Sequence, residues 1–309
     1  MISVSTIIPV YNGAATVAYA IDSALAQDFD GQEIIVVNDG STDDTAGALA
    51  QYGDRIRVID KPNGGAASAR NAGIAIARGK FLAFLDADDI WLPGHLNALI
   101  EPLMRQPEAA LAFGDFETRD EDGNQVYSSV FAADPQRSRA PSLEEMLSGF
   151  FSILPSAAAV RRRSFNAAGG FDEGFKKAAW EDFYFWLLLR EHGPFISVQE
   201  VITRHIDSLK AIPEKYLPGR RRFKKLVWSR YGNRSRNLIK EADLYFATRF
   251  FARAVTRLKS SRYVEGCHDL LLATCYGPVW VVRNAKPVRR GLKFARQLRA
   301  NFGFTSSKQ

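Results

Sequence analysis

Apolar runs and polar tips alternate along the first hundred residues with a regular rhythm. Ser5-Thr6-Ile7-Ile8-Pro9-Val10 reads as a strand, residues 14–27 as a helix, and Glu33-Ile34-Ile35-Val36-Val37 as a second strand. Residues 42–52 read as a helix, capped by Ser41 or Thr42 with Asp43 and Asp44 in its first turn. Arg57-Val58-Ile59 follows as a short strand, then a helix over 66–78 stopped by Gly79, then the strand Phe81-Leu82-Ala83-Phe84-Leu85. The strands are continuous apolar runs rather than alternating ones, which is the pattern of strands covered on both faces. A βαβαβαβ order of this kind predicts a doubly wound, mostly parallel sheet of the α/β class.

Each predicted strand ends in polar residues: Tyr11-Asn12-Gly13, Asn38-Asp39-Gly40-Ser41, Pro62-Asn63-Gly64-Gly65 and Asp86-Ala87-Asp88-Asp89. In a parallel sheet these tips share the edge at the carboxyl ends of the strands, where ligands bind. Asp86 and Asp88, spaced i and i+2, form a hard oxygen pair suited to Mg²⁺ or Mn²⁺ bridging to a diphosphate. An isolated Asp-x-Asp also serves as an acidic turn before a helix. Four polar tips on one edge favour the ligand reading.

Beyond residue 95 the pattern loosens. Residues 92–104 look helical, 110–116 strand-like, and Asp122-Gly123 marks a hairpin turn. Residues 131–141 read as a loop, with the character of a flap, and Ser142-Leu143-Glu144-Glu145 has the spacing of a capping box opening a short helix. Trp180-Glu181-Asp182 sets two acids at the start of an apolar, buried helix. Helix N-termini favour carboxylates in their charged form.

Composition narrows the classes. The chain has 309 residues, is 46% hydrophobic and carries a net charge of +7. Residues 1–205 hold 17 Lys and Arg against 28 Asp and Glu, and residues 206–309 hold 24 against 6, so balances of −11 and +18 make up the +7. This split predicts a boundary near 205–215, with a domain over 1–210 and a basic α-helical region over 211–309. Cys267 and Cys275 are too few for a disulfide scaffold and point to a reducing compartment. The N-terminus has no basic region or cleavage site, so no signal peptide is expected, and the apolar stretch 270–282 is too short to span a bilayer. No Gly-x-x-x-x-Gly-Lys-Ser/Thr loop occurs, so Gly64-Gly65 is not part of a P-loop, and no Gly-x-Gly-x-x-Gly follows the first strand, which disfavours a dinucleotide oxidoreductase.

The segments Thr6-Ile7-Ile8-Pro9-Val10-Tyr11-Asn12, Ile34-Ile35-Val36-Val37-Asn38-Asp39-Gly40-Ser41-Thr42-Asp43, Asn63-Gly64-Gly65-Ala66-Ala67-Ser68-Ala69-Arg70-Asn71-Ala72-Gly73 and Phe84-Leu85-Asp86-Ala87-Asp88-Asp89 together resemble the inverting nucleotide-sugar glycosyltransferases of family 2. The resemblance covers residues 1–95 and, less closely, 155–205. It implies the GT-A fold, which is Rossmann-like, with nucleotide-sugar binding over 1–95 and an acceptor side over 96–210, and a Mg²⁺ or Mn²⁺ cofactor. Pro9 and Tyr11 would wall a slot for a flat base, with Asn12 beside them. Asp39 would accept the imide N–H of uracil, which favours a UDP-sugar donor. Arg70 would meet the base, the diphosphate or Asp39. Asp86 would touch ribose or metal, and Asp88 would ligate the metal. Asp182 would be the general base toward the acceptor hydroxyl, with Glu181 binding the acceptor or orienting Asp182. His205 would lie near metal or diphosphate, although Ile206-Asp207-Ser208-Leu209-Lys210 depart from the usual pattern.

The basic C-terminal part mixes cations with apolar anchors in 220–228 and 279–299, and 245–258 has helical spacing. Such stretches suit an anionic membrane surface, and hence a glycan or lipid-linked acceptor at the inner face of the cell membrane, with the protein cytoplasmic and peripheral. A solvated tail packed on the catalytic domain is the alternative. Nucleic acid is not expected as a partner, for no nucleic-acid fold is recognisable. Two other functions remain open: a nucleotidyltransferase that builds sugar nucleotides, disfavoured because Tyr11-Asn12-Gly13-Ala14 lacks a basic glycine-rich loop, and a non-catalytic nucleotide-sugar binder, disfavoured by the intact Asp86, Asp88 and Asp182.

Overall fold

The computed structural model describes residues 3–120, 123–148, 153–176, 178–206 and 213–240. The expected helix over 245–258, the stretches 270–282 and 279–299 and both cysteines lie outside the described residues.

The apolar runs form β1 (Val4–Val10), β2 (Gln32–Asn38), β3 (Arg57–Asp60) and β4 (Phe81–Phe84), which pair in parallel in the order β3-β2-β1-β4. Between them run α1 (Val17–Leu25), α2 (Thr45–Ala50) and α3 (Ala66–Ile76). Successive strand residues face opposite sides. Ile8 and Val36 accordingly join a core cluster with Val17, Ile21 and Ala24 of α1, while Ile7 and Val37 meet α3. That second contact depends on Gly73, where a Cβ would stand 2.8 Å from Ile7 and 3.0 Å from Val37. The double winding expected of the first hundred residues is therefore present.

The parallel order stops at β4. The chain continues through β5 (Ile90–Trp91), α4 (His95–Arg105), β6 (Leu111–Arg119), β7 (Gln125–Tyr127), α5 (Val130–Ala133) and α6 (Leu143–Ser148). It then forms β8 (Ala158–Arg161), α7 (Arg162–Ala168), α8 (Glu181–Arg190) and β9 (Phe195–Ile206). β8 runs antiparallel to both β4 and β6, β9 is parallel to β6 and antiparallel to β5, and β7 pairs β6. The sheet is thus mixed over its second half. The segment expected as a loop over 131–141 contains α5 and a short turn of helix, Pro135–Ser138. Buried Asp115 accepts the Phe131 N–H at 2.9 Å, and Ser129 caps the helix through the Ala132 N–H at 2.9 Å. The capping box is present as read: Ser142 N donates to Glu145 Oε2 at 2.8 Å and Glu145 N to Ser142 Oγ at 3.2 Å.

The compact unit extends past residue 210, to Ser235, and a second unit comprises Arg236–Gln309. The reason is α9 (Pro213–Tyr231), whose Phe223 and Val227 are fully buried and whose Phe223 ring lies against Phe183 of α8 at 5.3 Å. The charge split begins before the packing does: basic α9 is part of the first unit.

Candidate active site

The site lies at the carboxyl ends of the parallel strands. The tips of β1 and β2 are stitched together. Asn12, with φ of 52°, donates its N–H to Ser41 Oγ at 2.9 Å and accepts the Thr42 N–H on Oδ1 at 2.8 Å. Gly13 N donates to Thr45 Oγ1 and Ala14 N to Asp43 Oδ2, each at 3.0 Å. Asn12 therefore shapes the rim through its neighbours. Pro9 is partly buried in β1, and Tyr11 is 51% exposed beyond it, which leaves its ring face free to stack.

Asp39 is buried just past β2. Parallel register pairs Asn38 with Asp60, so Asp39 meets Lys61 at the next step. Lys61 Nζ donates to Asp39 Oδ1 at 2.6 Å, Gly64 N to the same oxygen at 3.0 Å, and Gly65 N to Oδ2 at 2.7 Å. The carboxylate thereby fixes the glycine loop that opens α3. Arg70 does not reach Asp39, contrary to one of its expected roles, because Lys61 takes that place.

Arg70, about one turn into α3, is buried and bridges two other carboxylates. Nη2 donates to Asp86 Oδ1 at 2.7 Å, Nη1 to Glu181 Oε1 at 3.0 Å, and the guanidinium lies 5.4 Å from the Phe171 ring. Burial works against its charge, but Asp86 and Glu181 outweigh it and raise its pKa. Asp86 is fixed from behind by its N–H to Ser156 Oγ at 3.0 Å. Ser156 O in turn accepts from Trp91 Nε1 at 2.8 Å and Thr203 Oγ1 at 3.0 Å, which ties β4 to β5 and β9.

Asp88 opens to solvent at its edge, yet the protein around it pushes its carboxyl up to about 6. The charges of Asp89 and Asp86 push the same way and His205 opposes them. Asp89 is buried, accepts from His205 Nδ1 at 2.8 Å and Ile206 N at 3.3 Å, and keeps its Oδ2 without a hydrogen-bond partner. His205 thus reaches the acidic tip, through Asp89. Among the described residues no three His, Cys, Asp or Glu side chains form a metal cage. Mg²⁺ is ordinarily held by one or two carboxylates together with substrate phosphates, so the Asp86–Asp88 pair fits such a cation.

On the other side, Glu181 and Asp182 open α8. Phe84, the last residue of β4, packs edge-on against Phe171 at 5.5 Å and against Trp186 of α8 at 6.4 Å, which holds the helix beside the strand end. Asp182 Oδ1 accepts the Phe183 N–H at 2.6 Å. Burial pushes the Asp182 carboxyl up to about 7, Glu181 and Asp86 push the same way, and Arg70 and the Phe183 N–H oppose. Trp180, before them, has φ of 90°, a left-handed value that costs a non-glycine residue about 1–3 kcal/mol.

Sequence reasoning singled out Pro9, Tyr11, Asn12, Asp39, Arg70, Asp86, Asp88, Glu181, Asp182 and His205, and the structure links the last six through the Arg70 bridge, the His205–Asp89 contact and their short-range charges. It missed Lys61 and Asp89. Lys61 had one signal: a lysine ending the strand next to the one that ends at Asp39. Ser156, a hydroxyl within an alanine-rich stretch, had none.

Residues 5–169 match the family model described as glycosyl transferase family 2. An uncharacterized glycosyltransferase of Rickettsia prowazekii is 36% identical over 190 residues, covering 59% of this chain and 57% of the relative. The hyaluronan synthase of Pasteurella multocida is 30% identical over 206 residues, 66% of this chain but 20% of the synthase. The matched region spans little more than half of the first relative and a fifth of the second. Residues 1–349 of S. aureus TarS, in the structure of its complex with UDP-GlcNAc, align with a TM-score of 0.58 at 17% identity, covering 88% of this chain and 81% of that one; this is a likeness of fold.

Proposed function

The chain belongs to glycosyl transferase family 2, and on that premise we propose that it is an inverting transferase moving a sugar from a UDP-sugar to a hydroxyl of a glycan or lipid-linked acceptor. The observation that carries this reading is the Arg70 bridge, which brings the acidic tip of β4 to the acidic start of α8. A donor diphosphate and an acceptor hydroxyl need carboxylates of two kinds on one edge. TarS, the fold neighbour, binds UDP-GlcNAc, and Asp39 offers a carboxylate for the uracil N–H beside the exposed Tyr11 ring.

In the reaction the acceptor oxygen attacks the anomeric carbon on the face opposite the leaving nucleoside diphosphate. Asp182 accepts the hydroxyl proton. A carboxyl raised to about 7 holds a proton better than a free one, which suits a general base near neutral pH. Glu181, locked on Arg70, fixes the first turn of α8 and orients its neighbour. One displacement converts an α-linked donor into a β-linked product. Asp88 and Asp86 are the residues that would hold Mg²⁺ or Mn²⁺, with His205 behind them through Asp89. Bound there, such a cation offsets the charge of the diphosphate.

No helix among the described residues is long and apolar enough to cross a membrane. The outward face of α9 carries Arg221, Lys225 and Trp228, the last 48% exposed, a combination that suits peripheral contact with anionic lipid. Flotation of the full chain with vesicles, with and without anionic lipid, checks this contact. The transferase reading is checked by a panel of UDP-, GDP- and dTDP-sugars scored for divalent-metal-dependent release of the nucleoside diphosphate. Turnover of a UDP-sugar supports it, and no turnover of any donor at any metal concentration removes it.

A further inference from the structure

The left-handed Trp180 stands immediately before the two acids of α8, and the elements that hold it come from α9. Its indole stacks on Phe223 with ring centres 5.0 Å apart and planes at 26°. Phe223 is fully buried and also touches Phe183 at 5.3 Å and Tyr184 at 6.5 Å, the two residues after Asp182. One turn earlier, Gly219 lies directly on the peptide before Trp180. A Cβ there would stand 2.0 Å from Ala179 O and 2.8 Å from Trp180 Cδ1, so this crossing admits only glycine without movement.

The same helix grips the loop that leads into Trp180. Arg222 Nη2 donates to Asp172 Oδ1 at 2.7 Å and Oδ2 at 2.8 Å, with Nε at 3.2 Å, and its guanidinium lies 5.6 Å from the Phe175 ring. Such forked contacts fix angle as well as distance. At the far end of α8, Arg230 Nε and Tyr231 OH donate to Glu191 Oε1 at 2.9 and 2.6 Å. α9 therefore holds the approach to α8, its first turn and its exit.

We infer that α9 is a brace for the catalytic acids: Gly219, Arg222 and Phe223 are positioning residues that force Trp180 into its left-handed conformation and so aim Glu181 and Asp182 at the acceptor. Strained backbone persists where its surroundings over-determine it. Here the surroundings are a helix whose sequence reads as part of a basic tail. Residues far from the chemistry can govern the rate when they set the geometry of the attacking pair. The inference rests on the transferase reading for its consequence in catalysis, but the brace itself is a statement about backbone.

Two measurements on the full chain test it together. Amide hydrogen exchange over 178–183 reads the brace without substrate, and transfer kinetics with UDP titration read its consequence. Gly219→Ala and Phe223→Leu are expected to speed exchange over 178–183 while leaving β1 and β4 unchanged. Both are expected to lower kcat about tenfold or more with UDP affinity within about twofold of wild type. Arg222→Lys, which keeps a cation on Asp172, is expected to retain more kcat than Arg222→Met. Should Gly219→Ala not fold, Phe223→Leu and the Arg222 pair carry the test. Unchanged exchange at 178–183 overturns the brace whatever the rate does. Exchange that rises equally across β1 and β4, or a kcat that stays at the wild-type level while 178–183 loosens, overturns it too. If the wild type transfers no sugar, the functional reading falls, and the exchange data still decide whether α9 holds Trp180.

Discussion

Asp86 and Glu181, one at the end of β4 and the other at the start of α8, are held by two nitrogens of the same Arg70 guanidinium at 2.7 and 3.0 Å. The cation is buried, Glu181 nearly so, and Asp86 remains partly open to the edge where a ligand would sit. One guanidinium thus sets the spacing between the side that would hold a diphosphate and the side that would activate a hydroxyl. Arginine is suited to this because its planar fork presents donors in fixed directions.

Arg70→Met removes the bridge and leaves two carboxylates without their cation. Breaking a buried pair from one side costs about 3–5 kcal/mol, and the partial exposure of Asp86 places this case at the low end, about 3 kcal/mol. Urea unfolding is expected to show that loss, and turnover is expected to fall below detection in protein that still folds. Arg70→Lys reaches one carboxylate but not both, so it is expected to recover stability without recovering turnover. Recovery of full turnover in Arg70→Lys would contradict the bridging role.

As the proposed base, Asp182 is expected to set the pH profile. Burial pushes its carboxyl up to about 7 from the ordinary 3.8, and the base form predominates above that value. The expected kcat/KM therefore rises with pH through about 7 and levels off above it, and a profile already flat from pH 5 would remove Asp182 as base. The stability effect has the opposite sense. The folded state binds the proton more tightly than the unfolded chain does, so the stabilisation is complete below the unfolded value and is lost as pH rises through the folded one. Asp182→Asn, which never ionises, is expected to bind UDP normally, to lack turnover, and to unfold at a higher temperature than wild type at pH 8.5, with the gap narrowing by pH 5 and closing only below about 3.8.

The first half of this arrangement was legible in the sequence for a physical reason. β1, β4 and β2 from Ile34 onward are buried, so their apolar runs stand out, whereas β3 at the sheet edge alternates half-buried and exposed residues; a parallel sheet necessarily gathers Tyr11, Asp39, Gly64 and Asp86 along one edge. The second half hid itself. β8 is the short run Ala158-Ala159-Val160-Arg161, which no periodicity marks, and it reverses the sheet's direction. The partners of the site residues were hidden as well. Pairing Arg70 with Glu181, and His205 with Asp89, depends on tertiary approach that spacing cannot convey. The charge split near 205 was real as composition but did not mark the edge of packing, because α9 buries Phe223 and Val227 under a basic surface.

Removal of divalent metal tests the acidic tip. Asp88 has its carboxyl pushed up to about 6 by the packing around it and by two acidic neighbours, a setting in which a cation relieves repulsion. Chelation is expected to lower turnover at least about 100-fold, with Mn²⁺ or Mg²⁺ restoring it. In Asp88→Asn the metal concentration for half-maximal rate is expected to rise at least about tenfold, and the enhancement of UDP binding by Mn²⁺ to disappear. Wild-type turnover that persists in chelator would show that the tip acts without a metal.

The glycine loop tests the base specificity. Asp39 spends Oδ1 on Lys61 and Gly64 and one lone pair of Oδ2 on Gly65, which leaves a second lone pair of Oδ2 for an incoming N–H. Uracil presents such a donor at its ring imide, whereas cytosine presents a bare acceptor at the same ring position. Asp39→Asn places an NH₂ against either Gly65 N or the Lys61–Gly64 pair, so the loop loses a hydrogen bond and one buried donor is left unpaired. This is expected to destabilise the fold by about 1–3 kcal/mol. UDP affinity is expected to fall about 10–100-fold and CDP affinity to change far less, so that the preference for UDP over CDP collapses in calorimetric titrations. Lys61→Met keeps the carboxylate and the glycine contacts, and is expected to weaken UDP while preserving the ratio. An unaltered UDP-to-CDP ratio in Asp39→Asn would move the reading of the base elsewhere in the slot, with the Asp39 carboxylate left as a loop anchor.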